Sequence, residues 1–103
     1  MEPYFIENGV HRAVAARENG LTTIPAIVCE PGHPPRRIWV PLDSLYSPRR
    51  SVSRSDARHN YPALEQAMGT VAGRMRMPPI EVQPLGLRGQ PSSVPLAQVA
   101  VDA

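Results

Sequence analysis

Within six residues, Glu7-Asn8-Gly9-Val10-His11-Arg12 gathers a carboxylate, an amide, a glycine, an imidazole and a guanidinium. The run lies between a short apolar and aromatic stretch, Tyr4-Phe5-Ile6, and good helix-forming sequence from Val10 to Glu18. Such a place is a turn from strand into helix. Free N–H groups at a helix start attract anions, and the helix dipole adds to the attraction. Arg12 can make forked contacts to phosphate oxygens, and His11 can donate or shuttle a proton. Gly9 lets backbone and ligand approach closely. Glu7 can act as a base or position a divalent cation. The plain alternative is an Asn-Gly turn with a solvated His and Arg.

A second chemical feature is basic. Arg49, Arg50, Arg54 and Arg58 fall within ten residues, with His59 beside them. All 11 basic residues of the chain are arginine, which favours bidentate contact with phosphate or carboxylate; codon bias is the bland explanation. The net charge of +2 is too small to announce nucleic acid by itself, so the loop is either a solvated surface or a contact for DNA, phosphate or an acidic partner. His11, His33 and His59 lack the spacing of a zinc site, and no metal site is expected from them. Cys29, the one cysteine, follows an apolar run and reads as an inert, buried thiol. Met68, Met75 and Met77 read as core fillers, and Trp39 as a core anchor.

These groups need elements to position them. The length of 103 residues fits one domain. Thirteen scattered prolines exclude a continuous coiled coil and collagen. No run approaches the ~20 apolar residues of a membrane helix. The first nine residues lack the basic-then-apolar order of a signal peptide. The single cysteine excludes an internal disulfide framework, and the expected compartment is the cytoplasm.

Along the chain, Tyr4–Ile6 reads as a strand, Val10–Glu18 as a helix stopped by Asn19-Gly20, and Thr22–Val28 as a second strand. Together they suggest a βαβ unit with a right-handed crossover. Residues 30–37 form a Pro-rich linker, Ile38–Val40 a third strand and Leu42–Tyr46 one helical turn. Ser47–Asn60 reads as a polar, mobile loop. A second helix opens at Tyr61, with Pro62 in its first turn and an apolar face of Leu64, Ala67, Met68 and Val71, and Gly73 breaks it. Pro79–Leu85 alternates as a fourth strand, and residues 86–103 form a tail or edge strand. The fold class is α/β (α+β), a small mixed sheet with two main helices.

Two stretches resemble a known family. Tyr4 to Val28 carries a strand, Gly9-Val10-His11-Arg12, an Ala-rich helix, Gly20-Leu21 and Ile24-Pro25-Ala26-Ile27-Val28. It looks like the second half of the ParB/sulfiredoxin-like domain. Trp39-Val40-Pro41-Leu42-Asp43-Ser44-Leu45, the Arg-rich loop, Leu64 to Gly69 and Pro78-Pro79-Ile80-Glu81-Val82 resemble its first half. The order is reversed relative to the family. A circular permutation explains this, with residues 1–29 and 38–85 as the two halves and 30–37 as the new connection. Exchange of halves between two chains, giving a swapped homodimer, is the other explanation.

The resemblance implies a nucleotide ligand, ATP or CTP with Mg²⁺, whose phosphates rest on Asn8, Gly9, His11 and Arg12. The departures are specific. Sulfiredoxins have a nucleophilic Cys where this chain has Val10, so sulfinic-acid reduction is not expected. ParB clamps carry Glu-Arg-Arg where this chain has Val-His-Arg, and no helix-turn-helix follows. The kinase-like relatives often carry Asp where this chain has Asn8. Two rivals therefore stand beside nucleotide binding. One is a metal-dependent nuclease or toxin domain using Glu7 and His11. The other is a non-catalytic module touching DNA or a partner through Arg49, Arg50, Arg54 and Arg58.

Overall fold

The computed structural model describes residues 2–103. The strands are β1 (Tyr4–Asn8), β2 (Thr23–Val28), β3 (Arg36–Pro41), β4 (Leu45–Ser47), β5 (Ser51–Ser53), β6 (Ile80–Pro84), β7 (Val94–Pro95) and β8 (Ala100–Asp102). The helices are α1 (Val10–Glu18), α2 (Tyr61–Met68) and α3 (Val71–Arg76). Six strands form one mixed sheet in the order β3-β2-β6-β1-β4-β7, and β5 pairs with β8 in a separate parallel ladder. The α/β class with a mixed sheet is thus what the structure contains. No helix among the described residues is long and apolar enough to cross a membrane.

The βαβ expectation is corrected. β1 is antiparallel to β6, β2 is parallel to β6, and β6 lies between them. β1 and β2 therefore run in opposite directions and are not neighbours. The third and fourth segments decide this, because β6 inserts between strands that sequence order would pair. Residues 30–37 mostly form the connection of an antiparallel β2–β3 hairpin whose last two residues already belong to β3.

Helix α1 is buried nearly all round. Val10, His11, Ala13, Val14, Ala15 and Ala16 are all shielded, because the helix packs on α2 as well as on β2 and β6. Alanine suits this position: a small side chain lets helix and sheet approach closely at no rotamer cost. The core joins Val14 to Ile6, Ile24, Val28, Ile80 and Val82, all essentially solvent-free. Burying side chains of this size contributes about 1.5–3 kcal/mol each, and together they fix the sheet beneath the start of α1.

Other local expectations changed. Gly73 does not break a helix; it sits inside α3. A Cβ there would fall 1.9 Å from the Ala67 carbonyl oxygen, so only glycine lets α3 fold back on α2. Thr70 caps α3 by accepting from the Gly73 N–H at 2.9 Å. The segment Ser47–Asn60 holds β5 and a 3-10 turn at 57–59 rather than plain loop. The turn expected over Leu42–Tyr46 is a 3-10 turn at Leu42–Ser44 running into β4.

Trp39 is no core anchor. It is 41% exposed on the edge strand β3, with the Arg74 guanidinium 5.7 Å above its ring. Met75 and Val71 are exposed, whereas Met68 is buried and Met77 packs against the core. The C-terminal segment supplies β7, a 3-10 turn and β8. Arg17 holds it by donating to the carbonyls of Leu96 at 2.6 Å and Val99 at 2.7 Å.

Candidate functional site

The strand-to-helix turn at residues 7–12 opens onto a cleft of about 710 Å³, within the range typical of small-molecule sites. The register of β1 against β6 slips between Ile6 and Asn8, so Glu7 is the extra residue of a β-bulge. Bulges of this kind re-aim side chains near sites, and Glu7 and Asn8 both line the cleft. Asn8 is committed: its Nδ2 donates to Glu81 Oε2 at 2.8 Å. Gly9 follows with φ +109°, and a Cβ there would lie 2.5 Å from Ile80 Cγ2. The glycine is thus required by backbone and packing before any ligand is considered.

Arg12 is also engaged by its own chain. Its Nη1 donates to the carbonyls of Pro78 and Pro79. Burial pulls its pKa down from the usual arginine value, with Glu81 opposing; a guanidinium stays charged regardless. Arg12 therefore straps the α1 start to the segment leading into β6. The first turn of α1 has no side-chain cap and no acidic residue, so its free N–H groups are not claimed by a side-chain cap.

The loop arginines divide. Arg49 and Arg58 line the cleft. Arg54 instead lies 5.6 Å over the Tyr61 ring, and the Arg50 carbonyl accepts from the Ala100 N–H at 2.9 Å. The cleft also has apolar lining, from Ala63, Leu64, Ala67, Met77 and Pro78.

One constellation was not expected from sequence. His11 and His59 stack with ring centroids 3.8 Å apart and planes 14° apart. Asp56 Oδ2 lies 3.7 Å from His11 Nε2 and 3.9 Å from His59 Nε2. The Arg58 N–H donates to Asp56 Oδ1 at 3.0 Å. That bond, assisted by the Arg58 guanidinium, holds the Asp56 carboxyl below its ordinary range. Burial pushes the His11 imidazole down, His59 adds to this, and Asp56 opposes it. Asp56 and His59 are three residues apart, and that spacing was the one available signal; nothing local linked them to His11. His33 stays on the exposed β2–β3 connection, so the three histidines do not assemble, but two of them do.

Cys29 lies just past β2 and is half-buried. Burial pushes its thiol pKa up, and Glu81 and Glu7 add to the shift, so the basic loop does not activate it. Compared with family models, with curated proteins and with solved structures, the chain matches none.

Proposed function

We propose that the chain binds a phosphate-bearing ligand of nucleotide size in the cleft at the Asn8–Arg12 turn. One observation carries this reading: the lining of a single cleft combines basic groups with apolar surface. Arg49, Arg58 and the uncapped start of α1 supply the basic groups. Ala63, Leu64, Ala67 and Met77 supply the apolar surface. A nucleotide likewise combines charged phosphates with a flat, weakly polar base. The resemblance to the ParB/sulfiredoxin-like domain supports the same ligand class, with ATP or CTP and Mg²⁺ as first candidates.

The roles are divided by what each residue already touches. Arg49 and Arg58 offer guanidinium groups to phosphate oxygens, Arg58 while its Nε lies 3.5 Å from Asp56 Oδ1. Arg12 positions the turn by holding the Pro78 and Pro79 carbonyls. His11, in the first turn, faces the same space. The test is thermal unfolding with ATP, CTP and GTP, each with and without Mg²⁺. A ligand that binds only the folded state at 100 times its Kd stabilises by about 2.7 kcal/mol. Arg49→Ala and Arg58→Ala are expected to remove the shift, and Arg88→Ala, on an exposed loop, to keep it. No shift with any nucleotide would sink the reading.

Hydrolysis of a phosphodiester is a second reading. It is favoured by Glu7, set at the bulge on the same cleft as His11. It requires metal-dependent cleavage that Glu7→Gln abolishes.

A further inference from the structure

We propose that His11, Asp56 and His59 form a binding site for a divalent transition-metal ion of the zinc type. One ligand atom from each residue lies within 4.8 Å of the others. The gaps of 3.7 and 3.9 Å from Asp56 Oδ2 to the two imidazoles are too long for hydrogen bonds. They are near what an ion requires: bonds of about 2.0–2.1 Å in tetrahedral array place donor atoms roughly 3.4 Å apart. The Asp56–imidazole distances need only a few tenths of an ångström of closure, together with a turn of the His59 ring.

The surroundings prepare the three groups unequally. His11 is 5% exposed and is fixed on α1. Asp56 is oriented by the Arg58 N–H on Oδ1, which leaves Oδ2 turned toward the histidines. Partners of this outer kind tune metal sites and orient their ligands. His59 is the movable ligand. Its ring is stacked on His11, with the two planes 14° apart, so it must turn out of the stack to share an ion. Its side chain is 38% exposed and has room to do so.

Two imidazoles and one carboxylate favour Zn²⁺, Co²⁺ or Ni²⁺ over Mg²⁺, which prefers oxygen ligands. Three protein ligands leave a fourth position open. His11 and His59 both line the cleft beside Arg49 and Arg58, so that position is suited to water or an anion's oxygen. The two arginines oppose a bare cation, and an anion in the cleft offsets them. The ion site itself does not depend on the phosphate reading.

The test is equilibrium dialysis of the protein with Zn²⁺ alone, with Co²⁺ absorption as a second measure. Wild type is expected to hold one equivalent. His59→Ala and Asp56→Asn, checked for folding by circular dichroism, are expected to weaken binding about tenfold or more, since even outer partners are worth 10–100-fold. His33→Ala is expected to bind as wild type. Absence of stoichiometric binding by wild type, or full binding by folded His59→Ala, overturns the proposal. Nucleotide is absent from these measurements, so failure here and failure of the phosphate reading are told apart.

Discussion

Gly9 and Ile80 are in contact so close that a single added carbon on Gly9 would fall 2.5 Å from Ile80 Cγ2. The contact joins the turn that starts α1 to the first residue of β6, the strand at the centre of the sheet. Gly9→Ala adds backbone strain at φ +109° of about 1–2 kcal/mol. It adds overpacking of about 1–3 kcal/mol. Gly20→Ala, at φ +73° with open space around it, suffers the strain alone. Thermal melts of the two variants should therefore differ, with Gly9→Ala the lower. Equal melting points would show that the Ile80 contact yields freely.

Arg17→Met removes the two bonds to Leu96 and Val99. Hydrogen bonds to charged groups are worth about 1.5–3 kcal/mol each. The loss should be local: hydrogen exchange is expected to quicken at Ala100 and along the β5–β8 ladder and to stay unchanged in β1 and β6. Uniform acceleration across the sheet would contradict a local strap.

Tyr61 is 1% exposed, and its hydroxyl has no hydrogen-bond partner among the described residues. A buried unpaired hydroxyl costs about 1–3 kcal/mol. Tyr61→Phe is therefore expected to be neutral or stabilising in urea denaturation, while the ring stays beneath Arg54. A loss above about 1 kcal/mol would mean that the hydroxyl is satisfied.

Cys29 carries a pH prediction. Its thiol pKa is raised in the fold, first by burial and then by Glu81 and Glu7. The folded state thus holds the proton more tightly than the unfolded chain. The associated stability is fully present below the ordinary thiol pKa and is lost as pH rises from that value through the folded one. Alkylation at mildly alkaline pH should be slower in the native protein than in urea. Faster native alkylation would reverse the sign.

Elements with strong local patterns were legible in the sequence: β1, α1, β2, β3 and β6, and the start of α2 at Tyr61-Pro62. Pairing was not, because β6 separates β1 from β2 and nothing within residues 4–28 encodes that insertion. Gly73 misled because local propensity makes glycine a breaker, while the close approach to Ala67 decides its place. Trp39 misled because its size suggests burial, while edge position and Arg74 leave it half in water. The turn at residues 7–12 was readable from residue types. The partners of Arg12 and the joining of His11 to Asp56 and His59 depend on contacts 45 or more residues apart.

The sheet order bears on how the chain is made. β1 is synthesised before both of its neighbours, residues 45–47 and 80–84. At about 5–20 residues per second, β1 waits roughly 4–15 s for β6 to be synthesised. During that time the apolar side chains of Tyr4, Phe5 and Ile6 lack their strand partners. The polar Glu7-Asn8 end of the strand and the uninterrupted Ala-rich α1 then matter to the nascent chain: they are the parts able to stay hydrated, or to form locally, before translation delivers the centre of the sheet.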